Sequence, residues 1–178
     1  EGSFEYARFD NLYRNIIQWY ITSAGFTEPA NVGGAYVRGT ELIWRGTLAG
    51  RLTCSGNWTL QESKVTSSSR SYHEGKKLPN HPERYGVITL ETTVDQSTLF
   101  WTADHKGPYY LDRANQAHRR YPGRTLHDIG IIIPLKSLKT SCTLTVRNVT
   151  DERTFDIQGM PKPGRSYFAT LTYRPASQ

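Results

Sequence analysis

Residues 40–54 read TELIWRGTLAGRLTC, and their parity decides the fold class. Leu42, Trp44, Leu48, Leu52 and Cys54 fall on one side of an extended chain; Glu41, Arg45, Thr47, Arg51 and Thr53 fall on the other. Strict alternation of this kind predicts a β-strand in a sheet with one inward, core face and one wet, cationic face. A single strand of fifteen residues at about 3.3 Å each would reach roughly 50 Å, so Gly46 or Gly50 is expected to mark a bend.

The same pattern recurs outward from this stretch. Residues 4–9 (FEYARF), 12–22 (LYRNIIQWYIT) and 57–66 (NWTLQESKVT) read as strands, and SAGFTEPANVGG reads as a loop from its Gly, Pro and Asn. Residues 85–94 and TLFWTA, linked by DQS, form a predicted hairpin. IGIIIPL is a continuous apolar run of the kind buried on both sides, and CTLTVRNV, RTFDIQ and SYFATLTYR complete the set. About ten strands without an internal repeat predict an all-β antiparallel sandwich or jelly roll, in one domain over residues 1–178. The composition agrees: 11 Tyr and 33 Ser plus Thr suit a pleated, half-buried surface, although only 37% of residues are apolar.

An immunoglobulin-type core is excluded, since Trp58 follows Cys54 by only four residues and no Tyr stands two before Cys142. Cys54 and Cys142 both share a face with apolar neighbours. A bridge between them would contribute roughly 4 kcal/mol, and two buried free thiols produce the same pattern. The bridge is the expectation, with an oxidising, secreted or surface-exposed location. Two sequons, at Asn57 and Asn148, decide nothing in so Ser/Thr-rich a chain. No apolar run approaches the ~20 residues of a helical span, so no transmembrane segment is expected.

The charge is concentrated in one stretch. Residues 105–127, HKGPYYLDRANQAHRRYPGRTLH, carry a local +4 of the chain's formal +6. The candidate ligand-binding residues are Lys106, Tyr109, Tyr110, Arg113, Arg119, Arg120, Tyr121 and Arg124. Tyrosine binds sugars by stacking and hydrogen bonding, and clustered arginines clamp sulfate, phosphate or carboxylate. The expected partner is an acidic glycan or an acidic protein surface. Single-stranded nucleic acid is held by the same chemistry but ranks behind these. A covering loop, with its tyrosines packed on the sheet and its arginines in water, fits the stretch equally well.

Catalytic fingerprints are missing: no phosphate-binding glycine loop, GxSxG, HExxH or CxxC occurs. His73, Glu74 and His81 lack a third metal ligand at a suitable spacing, and neither a metal nor a cofactor is expected. The Asp104-His105 and His127-Asp128 pairs read as strand-end polar residues rather than acid–base dyads. The function predicted from sequence is therefore a non-enzymatic surface binding module of adhesin, lectin or receptor-binding type. A capsid- or pilus-type subunit, assembling as a homo-oligomer through the same stretch, comes second. A hydrolase with dispersed carboxylates (Glu41, Glu62, Glu91, Asp95) comes third.

Overall fold

The computed structural model describes residues 2–22, 24–31, 33–157 and 159–174. Eight long strands form one antiparallel sheet: β1 (Gly2–Arg14), β4 (Gly34–Leu48), β5 (Leu52–Ser67), β6 (Arg84–Val94), β7 (Ser97–Lys106), β10 (Arg124–Leu135), β11 (Thr140–Arg147) and β14 (Ser166–Tyr173). They follow one another in the order β1-β4-β5-β6-β7-β10-β11-β14, each beside its neighbour in sequence. Three short hairpins lie in the connections: β2 (Ile17–Ile21) with β3 (Thr27–Asn31), β8 (Tyr109–Tyr110) with β9 (Arg120–Tyr121), and β12 (Phe155–Ile157) with β13 (Met160–Pro161).

The all-β antiparallel class holds, but the sandwich or jelly roll does not. Leu42, Trp44, Leu48, Leu52 and Cys54 share a face as the alternation requires, through the pairs Trp44↔Gly56 and Leu48↔Leu52. No second sheet covers that face among the described residues. Leu48 is 61% exposed, Leu60 49%, Leu144 44% and Leu171 71%. The buried apolar cluster of Ala35, Val37, Val65 and Leu78 sits on the opposite face, which otherwise carries Glu41, Arg45, Thr53, Asn57, Thr59 and Thr89. Alternation reports that the two faces meet different environments; it does not report that the apolar face points inward. The Ile129–Leu135 run splits likewise: Ile129, Ile131 and Ile133 fall on the apolar outer face and Ile132 on the other.

The register also supplies a tilt. The closing pairs of three successive hairpins are Leu48↔Leu52, Val94↔Ser97 and Leu135↔Thr140. Followed along the registered rows, each lies two residues beyond the last. Two residues, about 6.6 Å, over two strand spacings, about 9.6 Å, is a slope of about 35°, the tilt at which closed barrels are built. On β5 the outer face is apolar from Leu52 to Leu60 and turns polar at Glu62 and Lys64. That stretch measures about 26 Å along the strand and about 22 Å along the tilted axis, close to the apolar band of a membrane barrel.

Four glycines keep neighbouring strands close. Each stands opposite an aromatic residue: Phe9↔Gly39, Trp44↔Gly56, Trp58↔Gly86 and Phe100↔Gly130. A Cβ at Gly56 would meet the Trp44 ring at 2.6 Å, and one at Gly86 the Trp58 ring at 2.8 Å. The rings lie across their glycine partners, covering backbone that would otherwise be bare.

In place of a bend within one strand, the chain reverses at Gly50, and residues 40–54 belong to two antiparallel strands. Ala49 (φ 49°) and Gly50 (φ 68°) are the central residues of a β-turn within the three-residue link 49–51, closed by the Arg51 N–H donating to the Leu48 carbonyl at 3.1 Å. Alanine is strained at positive φ, whereas asparagine tolerates it. Ala49→Asn is expected to raise the stability of the folded barrel by about 0.5–1 kcal/mol, read as an increased urea midpoint. An unchanged or lowered midpoint contradicts the strain assigned to Ala49.

Cys54 and Cys142 are free thiols. They lie on β5 and β11, with β6, β7 and β10 between them. Four strand spacings, roughly 19 Å, separate them, far beyond disulfide reach, so the expected bridge does not form.

Candidate functional site at the long-loop end

The meander sorts its connections by length. Residues 49–51, 95–96 and 136–139 are tight links at one end of the sheet; 15–33, 68–83, 107–123 and 148–165 are long and gather at the other. The basic stretch singled out by sequence is the third long loop with the strand ends that hold it.

Three of the long loops are tied to one another and to the sheet. Leu78 enters the apolar cluster with Ala35, Val37 and Val65, and its N–H donates to Ser63 Oγ at 3.2 Å. This folds the 68–83 loop over the inner face. Asn115 then joins it to the 107–123 loop: the Lys77 N–H donates to Asn115 Oδ1 at 2.7 Å and Asn115 Nδ2 to the Lys77 carbonyl at 3.0 Å. The Asn80 N–H adds a bond to the Tyr110 carbonyl at 2.8 Å.

The 148–165 loop is latched by charge. Arg124, with 5% of its side chain exposed, contacts Asp156 through Nε at 2.9 Å and Asp104 through Nη1 at 3.0 Å. Lys162 reaches Asp156 at 2.7 Å, and Lys106 reaches the same carboxylate at 3.8 Å. Partial burial opposes ionisation of Asp156, but the hydrogen bonds from Arg124 and Lys162 outweigh it, so its carboxyl is held well below the usual carboxylate range. Beside it Tyr109 packs at a tilt against Tyr121, ring centres 5.0 Å apart, and Tyr121 likewise against Phe155 at 4.7 Å. Tyr121 shares a hydrogen bond with Thr154, and the Tyr109 hydroxyl donates to the Asp156 carbonyl at 3.3 Å. Burial pushes Tyr109 up to about 12.

The eight sequence candidates thus divide by environment. Tyr109, Tyr121 and Arg124 are buried, and Lys106 lies over the Tyr109 ring at 4.8 Å. Tyr110 and Arg113 are half-buried within the loop. Burial, with the nearby charge of Arg113, pushes His73 below the usual imidazole range. Arg119 is half-buried and Arg120 exposed at the end of the excursion, and neither forms an ion pair among the described residues.

Beneath the loops, on the inner face, lies a cleft of about 850 Å³. Its walls include Phe9, Tyr13, Asn57, Gln61, Tyr85 and Asp104 from the strands, and Asn80 and His81 from the folded-over loop. Gln61 is fixed by donating to the Pro82 carbonyl at 2.8 Å. Sequence reading did not gather these wall residues into one site, because they are ordinary polar and aromatic residues dispersed over four strands and a loop. The available signal was the polar parity itself, which marks an enclosed wet face once the apolar parity faces outward.

A family model described as TonB dependent receptor-like, beta-barrel matches residues 2–149, more than four fifths of the chain. Among solved structures, the siderophore receptor PiuA from Acinetobacter baumannii aligns with a TM-score of 0.70 at 21% identity, over 94% of this chain and 24% of that one. The ferric yersiniabactin uptake receptor FyuA from Yersinia pestis aligns at 0.72 and 18%, over 96% and 26%. The copper transporter OprC aligns at 0.73 and 13%, over 96% and 28%. At these identities the likeness establishes the fold, and the chain spans about a quarter of the length of each. A comparison with curated proteins finds no match.

These findings overturn the adhesin, lectin and receptor-binding readings, as well as the capsid, pilus and hydrolase alternatives. An acidic glycan or acidic protein surface is likewise no longer the expected partner. The family's receptors are transporters rather than enzymes, and they sit at the bacterial surface in the outer membrane rather than being secreted. Among the described residues no helix is long and apolar enough to cross a membrane; membrane barrels cross with short alternating strands instead, which a search for apolar runs passes over. The register, the outward apolar band and the match over residues 2–149 agree, and the chain belongs to the TonB-dependent receptor-like β-barrel family.

Proposed function

We propose that the chain supplies part of the wall and outward loops of an outer-membrane receptor that imports ferric siderophore complexes with energy delivered through TonB. The observation that carries this reading is the inner-face cleft roofed by the 68–83 loop, with Arg119 and Arg120 on the 107–123 loop tied to it and, among the described residues, in no ion pair. Support also comes from the solved structures of the same fold, which include a siderophore receptor and a ferric yersiniabactin uptake receptor. Ferric complexes of oxygen-donor chelators are large, flat-sided and commonly anionic. Exposed arginine attracts such a complex from solution, and the Tyr- and Asn-lined cleft receives it.

The test is uptake of radiolabelled ferric siderophores by iron-starved cells whose only such receptor is the complete barrel carrying this chain. Import of at least one ferric complex is expected. Arg119→Ala with Arg120→Ala is expected to raise the half-saturating concentration about tenfold, with a smaller effect at high salt. No import of any ferric complex by a folded, surface-located receptor would sink the reading.

A further inference from the structure

A second cleft, of about 630 Å³, opens on the other face of the sheet. Arg84, His105 and His127 line it from strands β6, β7 and β10, Pro122 closes it from the basic loop, and Glu152 stands at its edge. The register places Arg84, His105 and His127 on the same face as Trp44, Trp58, Ile88, Trp101 and Ile129. The cleft therefore lies immediately beyond the outward apolar band, on the long-loop side.

Its floor is aromatic. His105 stacks on Trp58 at 5.3 Å and His127 on Trp101 at 5.6 Å, putting two indoles at the boundary between apolar and polar surface. Indoles favour the headgroup level of a membrane. Arg84 is exposed and forms no ion pair among the described residues. His127 Nδ1 is buried without a hydrogen-bond partner there, whereas His105 Nδ1 is engaged with Thr125 Oγ1 at 2.9 Å.

We propose that this cleft holds the phosphate of a phosphorylated lipid in the outer leaflet. The guanidinium of Arg84 takes two phosphate oxygens, an arrangement its planar fork suits, and the His127 imidazole, whose Nδ1 is enclosed, donates a hydrogen bond to a third through Nε2. Acyl chains attached to the same headgroup lie along Trp101, Ile129 and Val146 below. Glu152, the acid of the lining, repels the phosphate from its own side and so favours the Arg84 wall. A soluble anion gains only the polar contacts; a lipid gains the adjoining apolar surface as well. The inference rests on the family's outer-membrane location and not on the imported ligand.

The experiment uses the complete purified barrel and native mass spectrometry with three probes: bisphosphorylated lipid A, the same lipid with both phosphates removed, and inorganic phosphate. Wild-type protein is expected to retain lipid A at least fivefold better than Arg84→Ala, with Arg84→Lys restoring part of the difference and the dephosphorylated lipid retained weakly by all three. Folding of each variant is checked by the mobility shift between unheated and boiled samples. Equal retention by wild type and Arg84→Ala, or equal retention of the dephosphorylated lipid, overturns the site. Displacement of lipid A by an equal concentration of inorganic phosphate overturns the lipid as its occupant. A receptor that imports no iron complex yet shows this retention pattern leaves the lipid site standing.

Discussion

Gly86→Val is expected to leave little or no folded barrel. A Cβ at this position would press into the Asn57 carbonyl oxygen, closer than a real Cβ contact allows, and lie 2.8 Å from the Trp58 ring and 2.9 Å from the Trp58 Cα. Two of these three atoms belong to the backbone of β5, so a side-chain rotation relieves only part of the clash. The strand must move, and β5 and β6 hold nine consecutive registered pairs from Leu52↔Thr92 to Leu60↔Arg84. Overpacking of this kind costs about 3 kcal/mol or more, and the displaced Trp58 also leaves its stack with His105. Thr92→Val, on the same strand and outer face but without such a contact, should change stability by less than about 0.5 kcal/mol. The reading is the urea midpoint of the complete barrel in lipid vesicles. A Gly86→Val midpoint equal to wild type would show that the Trp58–Gly86 pair does not set the strand spacing.

The paired glycines also explain what could be read beforehand. Alternation at 40–54 and the hairpin between residues 94 and 97 are local facts, and each sits in the sequence; that the chain breaks near Gly50 is also local, but sequence reading does not give its full reversal there. Which face is enclosed is not local. A half-buried strand and a membrane-facing strand carry the same period of two, and only the sum over many strands reveals that the apolar side has nothing packed upon it. Leu42, Trp44 and Leu48 were thus correctly grouped and wrongly turned inward. The glycines at 39, 56, 86 and 130 draw no notice in a strand-by-strand reading. Their meaning lies in the cross-strand register with Phe9, Trp44, Trp58 and Phe100, which no single strand displays.

The loop end was legible to a similar depth. The 105–127 stretch stood out by charge, and it does form one of four long connections on one side of the sheet. Its internal assignments depend on partners more than thirty residues away. Arg124 looked like a member of an anion clamp because its counter-ion, Asp156, lies in another loop and is reached only through folding. Tyr109 and Tyr121 looked available for stacking on a ligand because Phe155 and Thr154, which occupy them, are equally remote. Arg119 and Arg120 of the original cluster form no ion pair among the described residues, which is why the import proposal places its charge there.

Loss of the Asp156 carboxylate should free the 148–165 loop without unfolding the sheet. Arg124 is nearly enclosed and keeps only Asp104 when Asp156 is replaced, while Lys106 and Lys162 lose their acid altogether. Breaking a buried pair costs about 3–5 kcal/mol; Asp156 is about one third exposed and Asp104 remains, so roughly 2 kcal/mol is expected, or about thirtyfold in protection. Asp156→Asn should therefore raise amide exchange about thirtyfold around Phe155 and Lys162, with exchange in β5 and β6 unchanged. The pH dependence has a definite sign. The folded carboxyl is depressed, so its contribution is full above the unfolded value near 3.9 and is lost as pH falls below it. Wild-type protection of this loop, corrected for intrinsic exchange, should be flat from pH 5 to 7.5 and decline only in more acidic solution. Asp156→Asn should show no such decline, because the titrating group is gone. Equal protection of wild type and variant at pH 7 would mean that the aromatic stack of Tyr109, Tyr121 and Phe155 holds the loop by itself.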